Sequence, residues 1–229
     1  MAIEAGTGLK TSTEARAPRE WVVEKTGAVL PLDLVFRDED GTPVRLGQIV
    51  DKPVLLLPVY YYCAGSCSRN LANLAASLGR MKSIPGREFR AIAFSFNDRE
   101  KTEDARRARK NFLKLAGGKF PEQEWRFLTG DRDAIAVLTG AMGYRFEEAA
   151  DGTFIHPSAL VAVSSEGRLR LTADLQPAAL ADRVVDDALV AAEHAAVLVD
   201  EHVLVTLLRS QRQRLALAHE VGRLDLGRA

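Results

Sequence analysis

The chain alternates between two hydrophobic rhythms, one of period two or continuous over strand-length stretches, the other close to helical spacing. Leu32, Leu34 and Phe36 alternate with Asp33, Val35 and Arg37 ahead of the turn signal Asp40-Gly41, which predicts a hairpin over 31–46. After Lys52-Pro53 the run Val54-Leu55-Leu56-Leu57-Pro58-Val59-Tyr60-Tyr61-Tyr62 is almost unbroken, the pattern of a central strand covered on both faces. Beyond Cys67, Leu71, Leu74, Ala75 and Leu78 recur at helical intervals, with Ser68, Arg69, Asn70 and Asn73 on the other faces. Phe89 to Phe96 reads as a second buried strand. The charged stretch 98–116, with Ala105, Ala108, Phe112 and Leu115 at helical intervals, reads as a crossover helix.

Trp125 to Leu128 is expected to be a short strand, Asp131 to Met142 a helix, and Ala159 to Ser164 a strand that turns at Glu166-Gly167 into Arg168 to Leu171. Pro177 to about Val197 makes a closing helix. This alternation predicts an α/β domain whose central mixed sheet is flanked by helices, with an N-terminal β-hairpin and a C-terminal helical extension. Its boundaries are read as an N-terminal extension over 1–26, one domain over 27–197 and a tail over 198–229. The tail places Leu204, Leu207, Leu208, Leu215 and Leu217 among five arginines, an amphipathic helical pattern suited to self-association or to docking a partner helix.

Charge narrows the function classes: 31 basic and 31 acidic residues cancel, so no broad field draws in nucleic acid or a membrane surface. The arginine-rich stretch 99–110 interleaves Glu100, Glu103 and Asp104 and offers no aromatic before Phe112, so it reads as a solvated helix face. No apolar stretch approaches the roughly 18 residues of a membrane span, and no secretory signal pattern opens the chain. A periplasmic setting, soluble or membrane-associated, is expected if a signal or anchor has been removed, and a cytoplasmic one if the chain is complete.

The chain has two cysteines, too few for a disulfide framework, and their closeness suggests one site. Cys63 and Cys67 stand where the first core strand meets its helix, a junction at which such sheets place chemistry. If that helix begins near Cys63, the two side chains share a face about 6 Å apart, close enough for a disulfide or a shared ion. His156 is the sole histidine of the first 190 residues and directly precedes Pro157 and an apolar strand. Two thiolates and an imidazole form a soft three-coordinate set suited to copper(I), and a fourth oxygen donor would complete a square for copper(II), whereas structural zinc takes four ligands. His194, His202 and His219 have no partner at the spacing of a helical clamp and read as solvated. Strand alternation would turn Tyr60 and Tyr62 to one face and Tyr61 to the other.

Four segments together resemble the Sco/SenC family: Tyr60-Tyr61-Tyr62-Cys63-Ala64-Gly65-Ser66-Cys67, Ala93-Phe94-Ser95-Phe96-Asn97-Asp98, Phe127-Leu128-Thr129-Gly130 and Phe154-Ile155-His156-Pro157. The resemblance covers roughly residues 27–195 and implies a thioredoxin-like fold. It further implies copper bound by Cys63, Cys67 and His156, and a partner in the cytochrome c oxidase subunit that carries the dinuclear copper centre, or in another copper or thiol protein. The family usually has a proline after its second cysteine where this chain has Ser68, and an Asp-Pro-rich loop where this chain has Asn97-Asp98-Arg99. A second function uses the same pair without metal: thiol-disulfide exchange, with Cys63 attacking, Cys67 resolving and His156 tuning the thiolate. A binding module that has lost both activities and a peroxidase of the same fold rank behind these two.

Overall fold

The computed structural model describes residues 20–63, 65–80, 84–118 and 120–174. The closing helix expected at 177–197 and the tail over 198–229, with His194, His202 and His219, lie outside the described residues. In chain order the strands are β1 (Val35–Arg37), β2 (Pro43–Arg45), β3 (Val54–Val59), β4 (Arg90–Ser95), β5 (Trp125–Leu128), β6 (Glu147–Glu148), β7 (Phe154–Ile155), β8 (Ala159–Val163) and β9 (Leu169–Asp174). The helices are α1 (Leu46–Ile49), α2 (Ser66–Leu78), α3 (Thr102–Leu115) and α4 (Arg132–Met142).

Five strands form the main sheet in the order β5-β4-β3-β8-β9, with β4 parallel to β3 and β5, and β8 antiparallel to β3 and β9. All six residues of β3 are buried, as its unbroken apolar run predicts for a middle strand. Leu56 pairs with Ile92 on one side and Val161 on the other. This is the mixed, helix-flanked sheet expected from the alternation of hydrophobic periods.

The hairpin over 31–46 forms, but its strands are short. Leu46 and Gly47 donate their N–H groups back to the carbonyls of Leu34 and Leu32, and residues 46–49 curl into α1 instead of extending β2. The Asp38 carboxylate accepts the N–H groups of Asp40 and Thr42 and so shapes the turn, which Gly41 completes at φ 85°. Arg126 of β5 donates to Asp38 and Glu39, and Glu39 also accepts the N–H of Phe127, which ties the hairpin to the sheet edge. The aromatic side chains of Phe36, Phe94, Trp125 and Phe127 fill the core behind it.

Strand β3 stops at Val59, three residues short of the run's end. Tyr60, Tyr61 and Tyr62 therefore lie in the turn that leads to Cys63, and strand alternation does not set their faces.

Helix α4 begins at an N-cap Asp131 whose side chain accepts the Ala134 N–H, and it ends at Gly143 with φ 70°. A Cβ at Gly143 would fall on the Val23 carbonyl oxygen, so glycine is required there by both conformation and space. The segment around Val22 and Val23 pairs with Gly143, Tyr144 and Arg145, and so holds the exit of α4 against the rest of the domain.

Candidate metal centre

Three elements deliver the three sequence-predicted residues to one place. Cys63 ends the turn after β3, Cys67 stands in the first turn of α2, and His156 follows β7 directly. The donor atoms of Cys63, Cys67 and His156 all lie within 4.8 Å of one another, and theirs is the metal-capable cluster among the described residues.

The cysteines come together by a route other than the expected one. Helix α2 starts at Ser66, after Gly65 at φ −112° and ψ −122°, so Cys63 lies outside the helix and does not share a helical face with Cys67. A folded-back loop replaces that face. The Gly65 N–H donates to the Cys63 sulfur at 3.3 Å, and the Ser68 hydroxyl donates to the Cys63 carbonyl at 2.5 Å. Ser68, at the position where the resemblance leads one to expect proline, thus closes the loop that carries Cys63.

Both cysteines are free and buried. The Cys67 thiol hydrogen-bonds the Cys63 sulfur, and this is the main reason that the Cys63 thiol is lowered to about 4, with further help from Tyr60 and the backbone. Burial, and then the same bond seen from its donor, pushes the Cys67 thiol well above the usual range. The pair therefore holds one thiolate and one proton at neutral pH, with the charge on Cys63. A lowered pKa means that the charged form persists as pH falls. Ultraviolet thiolate absorbance of the reduced, metal-free protein is expected to stay at one thiolate from about pH 8 to about pH 5 and to fall through a midpoint near 4. Absorbance that instead fell through the ordinary cysteine range would contradict the shared-proton arrangement.

His156 points Nε2 at the pair, 3.3 Å from both the Cys67 sulfur and the Ser66 hydroxyl. Its ring is enclosed by Tyr60 at a centroid distance of 5.8 Å and Phe96 at 5.2 Å, and Phe96 in turn packs on Phe146 and Phe154. The short hairpin of β6 and β7 sets the height of this wall. Arg99 holds that hairpin from the neighbouring loop, through Glu148, the Gly152 carbonyl and the Phe154 ring. The loop Asn97-Asp98-Arg99 is thus a bracket for the histidine side of the centre.

Sequence reasoning missed three contributors. Glu100, 4% exposed, accepts the N–H groups of Tyr61 and Tyr62 and the Ser95 hydroxyl, and so fastens the turn before Cys63 to the end of β4. Burial raises its pKa in spite of those three bonds. The charge pattern of 99–110 puts it on a solvated helix face, yet it stands in the loop between β4 and α3, two positions before that helix begins. Ser66 and Tyr144 both touch His156, and neither has a spacing that marks it.

The donor set suits a soft ion. Donors at bond lengths of about 2.0–2.3 Å from one ion lie no more than about 4.6 Å apart, and the described arrangement needs only slight closing to meet that limit. No protein-family model matches the chain, and no curated protein matches it in sequence. Among solved structures it is similar to a candidate electron transfer protein from Aquifex aeolicus VF5, 24% identical, over 76% of this chain and 98% of that one, with a TM-score of 0.65. It is similar to apo Sco1 from Thermus thermophilus, 25% identical, over 73% and 92% of the two chains, with a TM-score of 0.56. Copper-bound ScoI from Arabidopsis thaliana is 16% identical over 72% of this chain and 98% of that one, with a TM-score of 0.58. The sheet order, the flanking helices and these likenesses make the fold thioredoxin-like.

Proposed function

We propose that this chain, a thioredoxin-like protein of the Sco type, binds copper through Cys63, Cys67 and His156 and hands it to a copper-accepting partner. The observation that carries the reading is the convergence of two sulfurs and one imidazole nitrogen within 4.8 Å of one another, drawn from three separate elements. Such a soft set of low coordination number favours copper(I). Copper is the cargo here, and the protein contributes a preorganised cradle: Nε2 of His156 lies 3.3 Å from the Cys67 sulfur, and Tyr60 and Phe96 pack against the ring. The resemblance of the four motifs points to the dinuclear copper centre of cytochrome c oxidase as the destination, on the periplasmic side of a membrane. No helix among the described residues is long and apolar enough to cross one.

The test is a copper(I) titration against a competing chelator. The reduced protein is expected to take up about one equivalent tightly, and the protein with a Cys63–Cys67 disulfide none, because oxidation removes both thiolate donors. A reduced protein with no tight site overturns the copper reading.

The shared proton favours one further use of the same pair. The Cys63 thiolate attacks a partner disulfide, and one partner sulfur leaves as a thiolate that takes the Cys67 proton. Cys67 then displaces the second partner sulfur and closes the Cys63–Cys67 disulfide, which an external dithiol must reduce before the next turn. Copper and thiol exchange separate at His156: its removal takes a copper ligand away and leaves both sulfurs in place.

A further inference from the structure

We infer that Tyr144 is a positioning residue for the centre, because its hydroxyl and the Pro157 carbonyl together hold the His156 imidazole in the tautomer that leaves Nε2 free for a metal. The inference rests on the proposed role of His156 as a ligand, but its geometry stands without metal.

Nδ1 of His156 lies 2.9 Å from the Pro157 carbonyl oxygen and 3.3 Å from the Tyr144 hydroxyl. A carbonyl only accepts, so the proton of the neutral ring sits on Nδ1 and donates to Pro157. The Tyr144 hydroxyl donates to the same carbonyl at 3.0 Å, which fills its second lone pair and leaves the phenol oxygen to share the Nδ1 proton. Each of the three groups thus fixes the other two.

On the opposite edge of the ring, Nε2 lies 3.3 Å from both the Ser66 hydroxyl and the Cys67 sulfur, and with the proton on Nδ1 it accepts from the hydroxyl. A ring turned over about its Cβ–Cγ bond would put carbon against Tyr144 and Pro157 and forfeit both Nδ1 contacts, leaving the phenol and the carbonyl only each other. A ring with its proton on Nε2 would offer no lone pair to an ion between the sulfurs.

The backbone holds Tyr144 where it acts. It is 3% exposed and directly follows Gly143, whose φ of 70° reverses the chain at the end of α4. Its N–H closes on the Thr139 carbonyl at 2.9 Å, and it bridges to Val22 in the N-terminal segment. Phe96 packs on its ring at a centroid distance of 5.7 Å. Phenylalanine fills the same space, so Tyr144→Phe removes only the hydroxyl.

The experiment is two-bond 1H–15N correlation of the histidine rings in the reduced, metal-free protein, with the His156 signals identified from a His156→Gln sample. The wild type is expected to show Nδ1 protonated and Nε2 bare, and Tyr144→Phe to show the Nε2–H form alongside it. The wild type should also give a cross-peak between the buried Tyr144 hydroxyl proton and the His156 Hδ1 proton. In copper(I) competition Tyr144→Phe is expected to bind about 10- to 100-fold more weakly, the usual cost of losing an outer partner of a ligating histidine.

An unchanged Nδ1–H tautomer in Tyr144→Phe, or a wild type without that cross-peak, overturns the role of Tyr144 whatever the metal result. A wild type that holds the tautomer and binds no copper leaves the role of Tyr144 intact and removes the proposed function.

Discussion

Cys67→Ser is expected to abolish tight copper(I) binding, with a loss larger than the roughly 10- to 100-fold typical of an outer-shell change. Cys67 is completely buried at the head of α2. Its sulfur accepts the Tyr60 N–H at 3.4 Å and faces His156 Nε2 at 3.3 Å. Serine keeps the size and those polar partners, so the fold is preserved, but a neutral hydroxyl is a hard and weak donor to a soft ion. Cys67→Ala, which removes the donor that the serine hydroxyl would keep, should move the Cys63 midpoint up from about 4 toward the ordinary cysteine range. Competition titration reads the first effect and thiolate absorbance the second. Affinity kept within about tenfold of wild type, a span that an outer-shell change alone covers, would mean that Cys67 is not a ligand. His156→Ala should weaken copper binding while leaving the Cys63 thiolate in place, and this difference distinguishes loss of a ligand from collapse of the pair.

The main sheet was readable because burial on both faces writes itself into β3 and β8 as continuous apolar runs, and because Trp125 to Leu128 and Asp131 to Met142 carry clear period changes. The trio at the centre was readable for a different reason: a chain with two cysteines and one early histidine leaves few ways to build a soft site. What escaped was whatever has no period. Strands β6 and β7 are two residues each, too short to alternate, although they place His156. Helix α1 is a single turn set by backbone bonds to Leu32 and Leu34. The loop that brings Cys63 back to Cys67 depends on Gly65 and on the Ser68 hydroxyl, and no spacing rule encodes it.

Glu100 shows most clearly how a charge pattern misleads. Within the stretch 99–110 it looks like one of several acids interleaved with arginines, but α3 starts at Thr102 and leaves Glu100 under the sheet's end. There its carboxylate accepts the Tyr61 N–H at 2.8 Å, the Tyr62 N–H at 2.7 Å and the Ser95 hydroxyl at 2.6 Å. All three partners are neutral donors. The carboxylate therefore substitutes for solvent at two backbone groups of the turn that ends in Cys63.

Glu100→Ala is expected to destabilise the protein by about 2–4 kcal/mol, since each buried donor left without a partner costs roughly 1–3 kcal/mol and removal of a desolvated charge offsets part of the sum. Glu100→Gln keeps a carbonyl acceptor but turns an amide N–H toward a backbone donor, so it should fall between wild type and alanine. The pH dependence has a definite sign. Burial raises the Glu100 pKa in the folded state, so the native protein takes up this proton before the unfolded chain does. The group's contribution is fully present below the unfolded pKa and is partly lost as pH rises through the folded one. Denaturant titrations should therefore find the gap between wild type and Glu100→Ala widening as pH is lowered from neutrality into the carboxylate range. A gap that narrows would show that Glu100 is stabilised as an anion. Because the turn it holds leads straight into Cys63, Glu100→Ala should also weaken copper binding under conditions where the protein is fully folded. Ser95→Ala, which removes one donor at the strand end and leaves both turn N–H groups paired, should lower stability with little effect on the metal. That contrast separates support of the sheet from support of the site: the turn bonds at Tyr61 and Tyr62, rather than Ser95, connect Glu100 to the sulfur of Cys63.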